Sequence, residues 1–277
     1  MSRKVSVIIP TVGRASLSQC LEGLARQSLK PDEVQVVEDK SRRGPGWARN
    51  QGICKATGDI LAFLDDDAVP PPEWLASMVE AMEHAEADGA GGSFEETDPV
   101  LREIRALRPP PRQQMVDGLG LVGNSGNLLL RREVLEVLKA RDGYWFIEDW
   151  GAFGSEDWEL IMRVRSYGFH LVYVPVHVQH LRRVTSPQYW SHQFKRGVGI
   201  FLLDRAMRRR GASPPQAGLL WDQSKPPLVR WLTVIAVKLF GPFAWNRFTR
   251  KRSFFIHWIA EKMQSAGYLW GLMRYGR

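Results

Sequence analysis

The feature that most constrains this chain is the run Ile60-Leu61-Ala62-Phe63-Leu64-Asp65-Asp66-Asp67-Ala68-Val69-Pro70, in which five apolar residues end abruptly in three consecutive carboxylates. An apolar run of that length bounded by charge is read as a buried strand that carries the acids to the rim of a sheet. Open α/β sheets bind their ligands at that rim. Three adjacent carboxylates repel one another unless water or a cation lies among them. A hard divalent ion would resolve the conflict and would itself attract a diphosphate, which points to a metal-bound nucleotide. The plain alternative is that one Asp caps a helix opened by Pro71-Pro72-Glu73 while the other two are solvated.

The flanking sequence supports a sheet. Val5-Ser6-Val7-Ile8-Ile9-Pro10 is a β-branched run, and Leu17, Cys20, Leu21 and Leu24 recur at helical spacing. Val34-Gln35-Val36-Val37 is a second strand, followed by a helix from about Trp47 to Ala56 and then the strand from Ile60. Strand and helix alternate over some sixty residues, which predicts parallel pairing and puts the ends at Thr11, Asp39 and Asp65 on one edge. Neither a Walker phosphate loop nor a Gly-x-Gly-x-x-Gly fingerprint is present, so a metal on the acids is the natural phosphate holder.

At 277 residues the chain is long enough for one large domain with an appendage. Its net charge of +8 is localised: residues 228–277 hold nine Lys/Arg against Glu261 alone, whereas residues 1–227 hold 29 of each sign. Two cysteines without metal spacing, Cys20 and Cys54, suit a reducing cytosol, and the N-terminus shows no apolar leader. Residues 211–227 carry four prolines and read as a connector between a domain over 1–210 and a tail over 228–277. On a helical projection of that tail, Phe254, Phe255, Trp258, Ile259, Met263, Ala266, Leu269 and Trp270 share one side, with Lys262 among them. Such a segment suits an anionic bilayer surface, with packing on another protein surface as the alternative. The run 228–240 is interrupted by Arg230 and Lys238 and ends at Gly241-Pro242, short of a membrane span.

Farther along, Gly89-Ala90-Gly91-Gly92-Ser93-Phe94 suggests a fourth strand, and residues 95–117 read as a long loop. Gly154-Ser155-Glu156-Asp157 opens an amphipathic helix, with Ser155 as its cap and both acids in its first turn. In Val172-Tyr173-Val174-Pro175-Val176-His177-Val178-Gln179-His180, the odd separation of the histidines puts their rings on opposite faces of a regular strand.

Taken together, Val5-Ser6-Val7-Ile8-Ile9-Pro10-Thr11, Val37-Glu38-Asp39, Ala48-Arg49-Asn50-Gln51-Gly52, Phe63-Leu64-Asp65-Asp66-Asp67 and Gly154-Ser155-Glu156-Asp157-Trp158 resemble family 2 glycosyltransferases of the GT-A fold. The likeness covers roughly residues 4–205 and rests on motif order. It implies an α/β fold, a Rossmann-like mostly parallel sheet flanked by helices, here with a C-terminal amphipathic helical appendage. It also implies inverting transfer from a nucleotide-diphosphate sugar to a hydroxyl of a glycan or lipid-linked acceptor, with Mg²⁺ or Mn²⁺. By this resemblance Pro10, Thr11, Arg14, Asp39, Arg49, Asn50, Asp65 and Asp66 bind the donor, and Asp65, Asp67 and His180 hold the metal. Asp157 is the general base with Glu156 beside it, and Asn124 lines the acceptor side; Trp158 offers an apolar face for an acceptor sugar ring, and Arg196 can meet a phosphate on donor or acceptor. A core Trp158, a structural His180 and a solvated Arg196 stand as the alternatives. The family often has Asp-Asp-Gly-Ser where this chain has Glu38-Asp39-Lys40-Ser41, which removes the residue with easiest access to positive φ.

The expected setting is the cytoplasmic face of a membrane, without nucleic acid. Two other readings use the same features: a nucleotidyltransferase built on the acid cluster, or a nucleic-acid surface on the basic aromatic tail.

Overall fold

In the computed structural model, residues 3–107, 124–211 and 252–276 are described. They fall into two compact units, Met1–Arg183 and Val184–Arg277. The first runs β1 (Val5–Thr11), α1 (Leu17–Ala25), β2 (Glu33–Glu38), α2 (Pro45–Lys55), β3 (Ile60–Leu64), β4 (Ala68–Val69), α3 (Trp74–His84) and β5 (Gly89–Glu96). It continues through α4 (Pro99–Leu107), β6 (Asn127–Arg131), α5 (Arg132–Asp142), a 3-10 turn at Gly151–Phe153, α6 (Glu156–Ser166) and β7 (Leu171–His180).

The seven strands among the described residues form one sheet in the order β2-β1-β3-β6-β5-β7-β4. β1 pairs in parallel with β2 and β3, as the alternation predicts, so Thr11, Asp39 and Asp65 do share an edge. Beyond β3 the sheet is mixed rather than mostly parallel. β6 runs antiparallel to both β3 and β5, β4 runs antiparallel to β7, and β5 returns to parallel pairing with β7. The fully buried runs β1 and β3 show why alternation is absent from their sequences: both faces are covered. Val7, Ile9, Ala62 and Leu64 pack with Trp74, Leu75 and Met78 on one side, while Ile8, Leu61 and Phe63 pack with Leu135, Phe146 and Leu160 on the other.

Two expectations change in the region read as a long loop. β5 extends through Glu96, and residues 99–107 form α4, while residues 108–117 lie outside the described residues. β7 passes through Pro175 as a continuous strand, with an irregularity in its pairing between Gly91 and Ser93 of β5.

The second unit contains α7 (Ser186–Arg209) and α8 (Arg252–Tyr275). α7 opens with a capping box in which Thr185 accepts from Gln188 N. Gln193-Phe194-Lys195-Arg196-Gly197, read as preceding a long helix, lies within α7. The two helices meet through glycines: a Cβ at Gly197 would lie 1.9 Å from the Gln264 carbonyl oxygen, and one at Gly267 1.9 Å from that of Phe194. The buried side of α8 is Ile256, Ala260, Gly267 and Gly271, whereas Leu269, Trp270, Leu272 and Met273 are exposed. The apolar side projected from sequence is thus not the packed side at its C-terminal end, because small residues set the contact. The connector 212–227 and the run 228–240 lie outside the described residues.

Candidate active site

The site is assembled at the carboxyl ends of β1, β2 and β3, where backbone leaves the sheet and acids emerge together. Its three aspartates are neutralised by side chains rather than left to repel. Asp66, buried, accepts from Thr11 Oγ1 at 2.6 Å and from Arg14 Nη1 at 2.6 Å. Asp67 accepts from the same Arg14 nitrogen at 3.2 Å and faces His180 Nε2 at 3.5 Å. Asp65 accepts from Arg49 Nη2 at 2.8 Å. Gly126 makes room for that carboxylate, since a Cβ there would lie 2.2 Å from Asp65 Oδ2.

Arg49 is the link between distant parts of the sequence. From the buried side of α2 its Nη1 donates to Glu156 Oε1 at 2.9 Å while Nη2 holds Asp65. One fully buried guanidinium therefore spans the acid triplet and the acid pair of α6, two carboxylate groups some ninety residues apart. Its Nε and the second oxygen of Glu156 are buried without a hydrogen-bond partner.

α6 begins under backbone strain. Gly154 and Ser155 both have positive φ, 76° and 73°, the second at a residue with a side chain. Ser155 occupies the cap position, but its hydroxyl makes no capping bond, contrary to the sequence expectation. Two positive-φ residues in succession, of which Ser155 alone is left-handed, turn the chain sharply and deliver Glu156 and Asp157 in the first turn. Asp157 Oδ1 accepts from Trp158 N at 2.8 Å. Trp158 itself is half-buried.

The electrostatics separate the acids. Burial raises the Asp157 carboxyl first, the Glu156 charge raises it further, and Arg49 and the Trp158 amide oppose them, leaving it at about 7. Burial likewise raises Asp65, with Arg49 pulling against it. Burial pushes Asp67 upward too, but the facing His180 ring and the charges of Arg14 and Arg182 outweigh it and hold it low. For His180, burial favours the neutral ring, yet its contacts with Asp67 and Glu96 raise it to about 9. Glu96, at the end of β5, bonds His180 Nδ1 at 2.9 Å. No sequence motif marked Glu96; only its strand register opposite His180 reveals it.

Several other expected residues hold the frame. Pro10 is buried within β1, paired with Val37. Asp39, also buried, accepts from the amides of Arg43 at 3.0 Å and Gly44 at 2.7 Å, fixing the loop that replaces the family's Gly-containing turn. Positive φ in that loop falls on Arg42 and Gly44. Asn50 uses its amide twice on Phe146, donating to the carbonyl at 2.9 Å and accepting from the amide at 3.0 Å, and it also donates to Glu148 at 2.9 Å. It clamps the segment preceding α6. Asn124 Oδ1 accepts from Gly126 N at 2.7 Å, shaping the turn beside Asp65. His177 bonds Ser93 and is not among the contacts of the acid cluster, while His180 is, as the odd separation implies. Arg196 belongs to α7, in the second unit.

Among the described residues no three His, Cys, Asp or Glu side chains converge as a complete metal cage. Asp67 and His180 nonetheless offer one carboxylate oxygen and one imidazole nitrogen facing each other. That donor pair can hold a divalent ion whose other positions are filled by phosphate and water, although its imidazole nitrogen departs from the all-oxygen set that Mg²⁺ prefers.

A mixed sheet with acids gathered at the ends of its first three strands defines the GT-A architecture. The mannosyltransferase PcManGT from Pyrobaculum calidifontis, solved in complex with GDP-Man and Mn2+, shares it with a TM-score of 0.62 at 16% identity, over 99% of this chain and 88% of that one. Residues 40–138, just over a third of the chain, match the family described as Glycosyl transferase family 2. Among relatives, Glycosyltransferase AglE of Haloferax volcanii is 38% identical over 27% of this chain and 25% of its own length. Glucosyl-dolichyl phosphate glucuronosyltransferase of the same organism is 27% identical over 32% of this chain and 38% of its own. The match thus spans between a quarter and two-fifths of these two relatives' lengths.

Proposed function

We propose that this protein is an inverting, metal-assisted glycosyltransferase that moves a sugar from a nucleoside-diphosphate donor to a hydroxyl of a glycan or lipid-linked acceptor. The observation that carries the reading is the Arg49 bridge, because it puts the strand-end aspartates and the Glu156-Asp157 pair around one guanidinium. The first group suits the donor and the second the acceptor.

In this scheme Asp157 takes the acceptor's hydroxyl proton as the oxygen bonds to the sugar's anomeric carbon. The bond from that carbon to the diphosphate breaks on the opposite face, and its electron pair leaves with the nucleoside diphosphate. A carboxyl at about 7 is matched to such a proton transfer near neutral pH. Asp67 and His180 would hold the divalent ion, which when bound supplies charge neutralisation to the departing diphosphate. Arg14, half exposed and already turned toward Asp66 and Asp67, is placed to meet phosphate oxygens from the solvent side. The presence of Mn2+ and GDP-Man in the Pyrobaculum enzyme, and of a lipid phosphate in the name of the Haloferax one, supports these classes of cofactor, donor and acceptor.

The exposed Leu269, Leu272 and Met273 of α8, followed by Arg274, support attachment of the second unit to an anionic membrane surface. Among the described residues no helix is long and apolar enough to cross a membrane.

The deciding experiment is Asp157→Asn. Asn keeps the acceptor oxygen for the Trp158 amide and loses the basic function. Transfer is expected to fall by about 10²- to 10⁴-fold, with donor affinity changed less than about threefold. Undiminished turnover would overturn the assignment of the base.

A further inference from the structure

Glu96 is the one carboxylate of the cluster that lies outside every motif considered so far. It closes β5 directly opposite His180 in the parallel β5/β7 register, so the two side chains stand on the same face of the sheet. Its Oε2 is 2.9 Å from His180 Nδ1, while Nε2 on the far side of the ring faces Asp67 Oδ1 at 3.5 Å. The second distance is longer than the range of a good N–H···O hydrogen bond, about 2.7–3.2 Å. The firm contact of the imidazole is therefore with Glu96, and the nitrogen turned toward Asp67 is the loosely engaged one.

One face of the ring is packed and the His180 backbone is held in the sheet. Phe94 packs against it at 5.1 Å between centroids. The His180 carbonyl accepts from Thr97 Oγ1 at 2.8 Å and from Thr97 N at 3.2 Å, and Ala68 pairs with His180 across β4 and β7. Glu96 is anchored too, because Arg102 Nε of α4 donates to its carbonyl at 3.2 Å. A carboxylate that accepts Nδ1–H from a histidine fixes the tautomer in which Nε2 carries the lone pair. Carboxylate, histidine and a facing second carboxylate form the arrangement that metal sites use to orient a ligand nitrogen.

We propose that Glu96 is the positioning residue of the cation site: through His180 Nδ1 it aims Nε2, together with Asp67 Oδ1, at the divalent ion that accompanies the nucleoside diphosphate. The inference rests on the proposed metal-assisted reading. Glu96 does not touch the ion; it acts by orienting the ring and making the imidazole a better donor.

The test is Mn²⁺ binding to the full chain, read from water-proton relaxation, for wild type, Glu96→Ala, Glu96→Gln and His180→Ala, with the exposed neighbour Glu95→Gln as control. Loss of the orienting partner is expected to weaken Mn²⁺ binding about 10- to 100-fold in Glu96→Ala. Gln keeps an acceptor oxygen for Nδ1–H without the charge, so Glu96→Gln is expected to fall between Ala and wild type, and Glu95→Gln to match wild type. Nitrogen-detected NMR of wild-type His180 should place the proton on Nδ1 in the metal-bound state, a readout that does not depend on any variant folding. Wild-type Mn²⁺ affinity in both folded Glu96 variants, or metal-bound His180 with its proton on Nε2, would overturn the proposal and leave the glycosyltransferase reading standing. No Mn²⁺ binding by wild type would remove the metal from both.

Discussion

Glu156→Gln should switch transfer on at lower pH. Asp157 lies at about 7 because burial and then the Glu156 charge oppose its ionisation, with Arg49 working the other way. Burial is the larger cause and survives the substitution, so removal of the neighbouring charge is worth on the order of one pH unit. Gln can still accept from Arg49 Nη1, which keeps the bridge. With the base at about 7, roughly a tenth is ionised at pH 6; with it near 6, roughly half is. Normalised to its own alkaline plateau, kcat/KM for the acceptor at pH 6 should therefore be about fivefold higher in the variant. The assay is initial release of nucleoside diphosphate between pH 5 and 9 at saturating donor, with slow donor hydrolysis as the fallback reaction. An acid limb that stays in place, or moves to higher pH, would refute the coupling between these two acids.

Other expectations are as direct. An acid raised by folding favours the native state below its unfolded value of about 3.8 and loses that contribution as pH climbs to about 7. Asp157→Asn should therefore melt above wild type at pH 8, by about 2–8 °C, with the gap closing toward pH 4; a gap independent of pH would contradict the raised carboxyl. Gly126→Ala puts a methyl 2.2 Å from Asp65 Oδ2 and must displace that carboxylate from Arg49. Its donor KM should rise about tenfold or more, and an unchanged KM would remove Asp65 from the donor site. Gly267→Leu cannot keep the helix contact at Phe194, so binding of the full chain to anionic vesicles should weaken if the packed α7/α8 pair presents the apolar end of α8; equal co-sedimentation would argue against it.

Much of the first half of the sheet was legible because its information is local. β1 and β3 are unbroken apolar runs, α1 has its period, and parallel pairing follows from alternation. The antiparallel insertion of β6 between β3 and β5 was not legible, since Asn127–Arg131 pairs with residues far away in sequence and carries no turn that would announce its partner. The site shows the same division. The acids stand out in the sequence, and the resemblance names Arg14, Arg49 and His180 beside them, but that Arg14 and Arg49 pair directly with the aspartates is visible only in the folded geometry. The resemblance puts Asn50 on the donor side, and the structure adds that its amide bonds Phe146 and Glu148. Glu96 was hidden inside a stretch with no periodicity, and the strain at Ser155 lies in dihedral angles that a Ser gives no hint of.

The Arg49 bridge also bears on engineering. Arg49 falls inside the segment 40–138 that matches the family, while Glu156 falls outside it. Grafting that segment from a relative to change the donor would bring in a foreign partner for Glu156, so a working chimera has to carry the turn at 154–157 along with it.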